Sequence, residues 1–243
     1  MAGTATGNIL LNTLAPDALA TLAIREEDHP ITTVLITPDE TPTFIFFPYA
    51  GAVVSIVRST ENGSMVEAGV IGGEGMFAVQ TVLTKPAPTG SEAIVQIDGR
   101  FARVEYARLN SQFRANEPFR DVLLSFTSVF LEQVTQNLVC NRLHAIEARL
   151  AKWLLIVRDR IATDHLHLTH DFLAHMLGIH RPGVSIAVGA LEVDGLIRHG
   201  RSFIEIRDRQ GLLERSCECY AIVHAKLEQF RSAHFVRKHT DTA

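Results

Sequence analysis

Apolar residues between positions 31 and 104 occur in short runs, and residues that favour turns separate them, as in 37–42 and 85–90. Many short strands with turns at near-regular intervals are typical of an antiparallel barrel or sandwich. The segment Glu61-Asn62-Gly63 predicts the clearest hairpin, because Asn-Gly favours the tight turn between antiparallel strands. The predicted strands cover residues 34–36, 44–47, 53–57, 66–70, 94–97 and 101–104.

A helical spacing of apolar residues dominates the rest of the chain. Residues 8–24 predict two short helices that are broken at Pro16 and pack on the strand-rich domain. Residues 118–145 predict one long helix, and residues 146–161 predict an amphipathic helix that packs on the core of a C-terminal domain. A last predicted helix carries one apolar stripe, formed by Leu213, Cys217, Tyr220, Val223, Leu227 and Phe230.

The long helix has a seven-residue repeat, which is the pattern of a coiled-coil seam. Ala145 continues the repeat at the end of the helix, and Asn141 could fix the register of a parallel dimer. The alternative is that this stripe packs only within its own subunit. The predicted dimer seam consists of Leu124, Thr127, Leu131, Val134, Leu138 and Asn141.

Residues 168–197 predict two short helices joined by a tight turn. Thr169 is suited to cap the first helix, and Gly178 is expected to end it. Pro182 fits the start of the second helix, which buries apolar residues at helical spacing and ends near Gly195. This arrangement is a helix-turn-helix, whose second helix enters the major groove of DNA.

The polar residues of the second helix distinguish a DNA-binding motif from a helix pair that has only a structural role. Arg181 and Ser185 are four residues apart, away from the apolar stripe, and Arg181 suits a bidentate bond to guanine. The following segment, 196–206, predicts a two-stranded wing whose cations could bind phosphates, although an ordinary solvated hairpin is the alternative. The candidate DNA-contacting residues are Thr169, His180, Arg181, Gly183, Ser185, Arg198, His199 and Arg201.

The net charge of the whole chain does not indicate nucleic-acid binding, since the 243 residues have a formal net charge of -4. Residues 142–209, however, contain ten Lys or Arg, eight Asp or Glu, and seven of the eleven histidines, so a locally basic face is feasible. The three cysteines are too few for a secreted disulfide framework. With neither a signal peptide nor a membrane-spanning run, the sequence predicts a cytoplasmic protein without membrane association.

The segment 168–206 resembles the winged helix-turn-helix of the Crp/Fnr family of bacterial transcription regulators. Residues 178–184, GIHRPGV, match the family's recognition-helix pattern with Arg181 as the base-contacting arginine. Residues 47–55 and 70–76 look like segments of the family's sensor domain in a large, mostly uncharacterised branch, and Cys140-Asn-Arg-Leu-His144 also matches that branch. Two departures, Pro182 and Ile186, prevent the operator sequence from being carried over.

The resemblance implies an α+β fold with an antiparallel, jelly-roll-like β-roll sensor at 1–117, a dimerisation helix at 118–145 and a winged helix-turn-helix at 146–243. It implies a homodimer that binds a palindromic operator on double-stranded DNA and responds to an unknown small-molecule effector. RNA polymerase is a further candidate partner. The signal, the sign of regulation and the target genes are not specified, and a sensor that works without any ligand is an alternative.

The effector pocket is expected around Gly73, Glu74 and Ser91, because cyclic-nucleotide-binding relatives use a Gly-Glu pair and a later Arg-Ser pair. The later segment, 88–92, contains no cation here, which argues against a cyclic nucleotide, since a bound phosphate needs a positive partner or several backbone donors. Glu74 is therefore interpreted mainly as a structural carboxylate. The iron–sulfur branch is excluded because no cysteine precedes Cys140.

Two rival functions remain. A metal- or redox-sensing regulator would use the histidines His165, His167, His170 and His175 or the Cys217-Glu218-Cys219 pair. His170 and His175 lack helical ligand spacing, and the two cysteines are expected to point apart on one helix. A cupin-like metalloenzyme would need clustered ligands in the barrel, yet His29 is the only histidine before His144. The sequence therefore predicts a protein that has no metal site, binds no cofactor and is not an enzyme.

Overall fold

The N-terminal segment forms two short helices that cover one end of the strand-rich domain. The computed structural model describes residues 6–61 and 63–235. Helix α1, Ile9–Asn12, begins where Asn8 accepts hydrogen bonds from the backbone N–H groups of Leu10 and Leu11, and it is buried. Helix α2, Pro16–Thr21, begins at Pro16. The predicted break is confirmed, because proline takes the first helical position without losing a hydrogen bond.

The following strands form an antiparallel β-roll, as predicted. One sheet has the order β1-β7-β3 and another β2-β6-β4-β5, and apolar side chains from both enter one core. The strands are β1 Arg25–His29, β2 Val34–Ile36, β3 Phe44–Pro48, β4 Val53–Ser59, β5 Met65–Ile71, β6 Glu92–Ile97 and β7 Gly99–Glu105.

Strand β1 was not predicted, because its sequence REEDH contains no apolar residue. It is an edge strand whose charges pair with β7, and the Glu27 carboxylate lies 2.9 Å from the Arg103 guanidinium. The predicted hairpin is confirmed for β4 and β5, where Ser59 pairs with Met65. Gly63 adopts a φ of 79° in its turn, while Asn62 lies outside the described residues.

Long helix α5, Glu117–Leu143, follows the short helices α3, Val79–Leu83, and α4, Tyr106–Ala115. The Asn116 side chain caps α5 by accepting a hydrogen bond from the Phe119 N–H. Its inner face packs on β5, and Gln133 both donates to and accepts from the backbone of Val70 at 3.0 Å. The helix ends two residues before the predicted position 145, because His144 takes an extended conformation.

The C-terminal half forms a winged helix-turn-helix. A sheet of order β8-β10-β9 packs with helices around a core that includes Leu150, Leu173, Val188 and Leu191. No helix in residues 6–61 and 63–235 is both long and apolar enough to cross a membrane. The elements are α6 Ile146–Ile161, β8 His165–Leu166, α7 His170–Leu177, α8 Arg181–Val193, β9 Ile197–His199, β10 Ile204–Ile206, α9 Arg209–Arg215 and α10 Cys219–Phe235.

The prediction of a single last helix is wrong, because this segment forms two helices. Helix α9 ends at Arg215 and α10 begins at Cys219, so Cys217 lies in the turn between them. The apolar stripe is still buried, since Tyr220 and Val223 join the C-terminal core. Leu227 and Phe230, further along α10, join the core of the β-roll, so this helix spans both halves of the molecule.

Candidate nucleic-acid interface

The helix-turn-helix is set by the capping residues that the sequence indicates. The Thr169 hydroxyl accepts a hydrogen bond from the Phe172 N–H at 3.2 Å and caps α7. Gly178 ends that helix with a φ of 63°, a conformation that glycine adopts without strain. Thr169 is therefore a capping residue first, and any contact it makes with DNA uses an already ordered hydroxyl.

Helix α8 has one buried and one exposed face. Val184, Val188 and Leu191 are fully buried, whereas Arg181 and Ser185 are exposed, as predicted from the helical spacing. Ile186 is also 68% exposed. The exposed face thus offers one guanidinium, one hydroxyl and one branched apolar group.

Residues on α7 hold the polar side chains of this face. Asp171 lies 3.2 Å from the Arg181 guanidinium, and both side chains are 65% exposed. The Ser185 hydroxyl lies 3.1 Å from Nδ1 of His170. Partial burial and the positive charges of His199 and Arg181 lower the pKa of His170. The sequence analysis did not select Asp171 and considered His170 only as a metal ligand, because only the packing of α7 against α8 brings them to this face.

The wing residues differ in how freely they can bind a phosphate. Arg198 and Arg201 are exposed, and the Arg198 guanidinium lies 5.8 Å from the centre of the Phe203 ring. His199 is instead held by Glu192 of α8, whose carboxylate accepts from its backbone N–H at 3.0 Å and lies 3.0 Å from its ring. His199 therefore fastens the wing to α8. Exposed Arg207, which the sequence analysis did not select, adds a cation beside Glu205.

Two further candidates flank Arg181. His180 is exposed at the N-terminus of α8, and its side chain makes no capping hydrogen bond there. Gly183 is half-buried, and a Cβ added to it would lie in ordinary van der Waals contact with Ile179 at 3.6 Å and Ile146 at 3.7 Å. The contact of Gly183 with DNA stays a prediction.

Two of the three expected effector-pocket residues are held by contacts within the protein, Gly73 half-buried and Glu74 buried. A Cβ on Gly73 would meet the Gly7 carbonyl oxygen at 2.7 Å, so this residue packs against the N-terminal segment. Glu74 is buried, with its carboxylate 2.7 Å from Arg160 of α6 and 3.5 Å from Arg231 of α10. Burial alone would raise the pKa of Glu74, but the two guanidiniums hold it below its usual value. Glu74 thus has the structural role that the sequence analysis favoured.

Ser91 lines a cavity of about 280 Å³ between the β-roll and α5. Phe130 and Val134 of α5 form part of its wall. Arg58, from the neighbouring strand β4, also lines it and donates a hydrogen bond to the Gly90 carbonyl. The segment 88–92 has no cation of its own, but the fold brings this arginine to it from more than thirty residues earlier in the chain.

Four potential metal ligands meet where α5 ends and α10 begins. Cys140, His144, Cys217 and Cys219 each place a ligand atom within 4.8 Å of the other three. A hydrogen bond with Cys217 and the positive charge of Lys152 lower the pKa of Cys140 to about 4, against the effect of burial. The expectation that Cys217 and Cys219 point apart on one helix is wrong, because Cys217 precedes α10.

The sequence of the C-terminal half identifies the class of domain. Residues 148–215 match the family model of the Crp-like helix-turn-helix domain. The chain thus carries a Crp-like helix-turn-helix, and the segment so matched runs from α6 to the end of α9. No curated protein sequence matches the chain.

Solved structures extend the similarity to about four fifths of the chain. A putative Crp/Fnr transcriptional regulator from Eubacterium rectale matches with a TM-score of 0.67 and 15% identity, covering 85% of this chain and 96% of its own. FixK2 from Bradyrhizobium japonicum matches with a TM-score of 0.68 and 18% identity, over 80% and 98%. The c-di-GMP-responsive regulator CLP from Xanthomonas campestris gives 0.65 and 15%, over 79% and 99%. The protein has the Crp/Fnr fold, as the sequence analysis predicted.

Proposed function

We propose that this protein is a sequence-specific transcription regulator of the Crp/Fnr type, a DNA-binding protein that acts in the cytoplasm and catalyses no reaction. The observation that carries the proposal is the exposed face of α8, which begins with Arg181 within a Crp-like helix-turn-helix domain. The N-terminal part of a recognition helix is the part that contacts base edges in the major groove.

The residues of this interface divide by what they recognise. Arg181 can form a bidentate bond with guanine, Ser185 can bond to either base type, and exposed Ile186 can contact the methyl group of thymine. Arg198, Arg201 and His180 contribute charge or hydrogen bonds to phosphates, which position the protein without reading sequence. Base readout thus comes from α8, and contacts with the DNA backbone come from the wing and from the residue that precedes α8.

A homodimer that reads a palindrome is part of the proposal. Leu124, Leu131 and Leu138 are 46%, 61% and 73% exposed at seven-residue intervals on α5, while the opposite face of the helix is buried on the β-roll. Exposed Asn141 and partly buried Thr127 and Val134 complete the seam. A second copy would cover these leucines and place two α8 helices about 34 Å apart, on successive turns of DNA.

The sensor part of the proposal rests on the cavity beside α5. A small molecule bound there would touch α5 through Phe130 and Val134, and Arg58 would favour an anionic group. Strand β5 also packs on α7, where Val66 approaches Gly178. A ligand could therefore bias the position of α8 if it binds one arrangement better than another. RNA polymerase is the partner expected once the protein is on DNA.

Selection of bound sequences from a random duplex pool, with purified protein in the absence and presence of cyclic AMP, tests the proposal. We expect an inverted repeat with half-sites about one helical turn apart, recovered without the nucleotide. Recovery only with cyclic AMP would show that the cavity does accept a cyclic nucleotide. Absence of enrichment in both arms, with a pool enriched by an unrelated Crp/Fnr regulator as the positive control, would contradict the proposed function.

A further inference from the structure

Three cysteines and a histidine that are far apart in sequence converge at the junction of three helices. Cys140 and His144 stand at the end of α5, Cys217 in the turn after α9, and Cys219 at the first position of α10. All three cysteines of the chain take part. The three sulfur atoms are buried and His144 is partly buried, so the group forms a compact, mostly enclosed site.

The distances within this group fit a single tetrahedral metal ion. A tetrahedral zinc site has Zn–S bonds near 2.3 Å and Zn–N bonds near 2.0 Å, which place two sulfurs about 3.8 Å apart and a sulfur and a nitrogen about 3.5 Å apart. The Cys140 and Cys217 sulfurs lie 3.5 Å apart, and the Cys219 sulfur lies 3.4 Å from Nδ1 of His144. Ligands on different irons of an iron–sulfur cluster would be separated by bridging sulfides and lie further apart.

The surrounding residues are those that a metal site requires. The histidine presents Nδ1 to the sulfurs, and its other ring nitrogen, Nε2, lies 3.2 Å from the Glu218 carboxylate. Histidine ligands of metals almost always donate their second N–H to such an acceptor, which orients the ring. Gln136 donates a hydrogen bond to the Cys219 sulfur at 3.1 Å. These contacts hold the ligands without occupying the space between them.

We propose that Cys140, His144, Cys217 and Cys219 form a structural binding site for one transition-metal ion, with Zn²⁺ as the occupant. Three thiolates and one imidazole are a common closed zinc set, which leaves no position for a substrate. The ion would fasten the start of α10 to the end of α5, next to the break at His144 that separates the long helix from α6. It would thus fix the junction between the helix with the exposed leucines and the helix-turn-helix domain.

Metal analysis of the wild-type chain gives the first test. Protein purified under reducing conditions without chelator is expected to contain about one zinc per chain and to lose it, with a lower melting temperature, on treatment with a chelator. Addition of Co²⁺ to the apoprotein should produce the intense visible bands of tetrahedral cobalt together with thiolate-to-cobalt charge transfer. These signals report the ligand geometry directly and need no variant.

Substitutions then assign the site to these residues. Glu218→Gln leaves all four ligands in place and is expected to weaken zinc binding about 10- to 100-fold, because it loosens the orientation of His144. Glu214→Gln, at an exposed carboxylate in the preceding helix α9, is the matched control and should bind zinc as the wild type does. Cys219→Ser removes one of the three thiolates, and it should weaken zinc binding and lower the thiolate-to-cobalt charge-transfer intensity by about a third.

Three outcomes would overturn the proposal. The first is reduced protein that contains no zinc and gives no tetrahedral cobalt spectrum. The second is equal zinc affinity in Glu218→Gln, Cys219→Ser and the wild type, which would place the metal elsewhere. The third is a Cys140–Cys217 disulfide that mass spectrometry finds in protein purified with zinc under reducing conditions, because those sulfurs would then not be ligands.

Discussion

In the proposed DNA interface, Arg181 can exchange its ion pair with Asp171 for a contact with a base at little cost in free energy. Its ion pair with Asp171 joins two side chains that are each 65% exposed, at 3.2 Å. Exposed ion pairs of this kind contribute little stability, because water and salt screen them. The pair can therefore hold the guanidinium in place in the free protein and release it to a base on binding.

Substitution of Arg181 should affect sequence readout more than overall attachment. Arg181→Ala is expected to weaken specific binding by about 1 to 3 kcal/mol and to relax the base preference at one position of each half-site. Arg201→Ala, as a control in the wing, should weaken binding to all sequences alike and reduce the slope of affinity against salt concentration by about one. Fluorescence anisotropy with operator and scrambled duplexes measures both. An Arg181→Ala protein with unchanged operator preference would contradict the assignment.

Glu67 is a buried carboxyl group at the boundary between β5 and α6. Ser55 lies 2.8 Å and the Trp153 indole nitrogen 3.1 Å from its two oxygens. Burial raises the pKa of Glu67 to about 7, although the hydrogen bonds from Ser55 and Trp153 and the positive charges of Lys152 and Arg160 oppose the shift. In the unfolded chain the pKa returns to about 4.5.

The raised pKa gives stability a definite dependence on pH. Between about pH 4.5 and 7 the folded state holds a proton that the unfolded state has lost, so the Glu67 contribution falls as pH rises. Glu67→Gln, which mimics the protonated group, should remove this decline and stabilise the protein above pH 7 by up to about 3 kcal/mol. Urea unfolding at several pH values, with exposed Glu61→Gln as control, measures the difference. If the free energy of unfolding depended on pH in the same way for the wild type and Glu67→Gln, the raised pKa of Glu67 would be excluded.

At the scale of elements, the two faces of α5 have different surroundings. One face packs on the β-roll and lines the cavity, and the other exposes leucines at seven-residue intervals. Large leucines that are 61% and 73% exposed, as Leu131 and Leu138 are, cost solubility unless another surface covers them. In the proposed homodimer, a second copy of the same helix would cover them with matching spacing.

Charge placed on the exposed face should separate the subunits. Leu131→Glu combined with Leu138→Glu is expected to convert the dimer to monomer, because like charges would meet across the seam without water. Ser128→Glu, at a flanking position where coiled coils commonly carry charge, should leave the dimer intact. Sedimentation velocity measures the mass, and circular dichroism checks that the fold is kept. A monomeric wild-type protein, or a dimeric double variant, would exclude α5 as the interface.

Local patterns specified most elements but not the contacts between them. The strands from Val34 to Glu105 and the helix-turn-helix follow from apolar spacing and capping residues, which act within a few positions. Strand β1 lacks that signal, since ion pairs with β7 replace apolar contacts. Arg58 at the cavity and Cys217 beside Cys140 are brought into place by packing over long sequence separations, which no local pattern encodes.

At the scale of the whole molecule, the two halves share cores and buried charges. Val53, Val57 and Val70 of the β-roll pack in the core of the helix-turn-helix domain, and α10 reaches both cores. The Glu74 carboxylate and the Arg160 guanidinium, each with 2% of its side chain exposed, meet 2.7 Å apart between β5 and α6. The proposed response to a ligand in the β-roll could therefore reach α6 by direct contact.

Removing one member of the Glu74–Arg160 pair should lower the free energy of unfolding more than replacing both members. Glu74→Ala leaves the Arg160 guanidinium buried without its partner and is expected to lower the free energy of unfolding by about 3 to 5 kcal/mol. Replacing both residues, as in Glu74→Leu with Arg160→Met, should cost less than Glu74→Ala, because no unpaired charge stays buried. Urea unfolding measures these changes, and Glu40→Ala, at an exposed carboxylate in the same domain, should change stability by less than about 0.5 kcal/mol. If Glu74→Ala were as mild as Glu40→Ala, the pair would not hold the two halves together, and coupling between the cavity and α8 would have to pass through α5 and the apolar contacts of β4, β5 and α10.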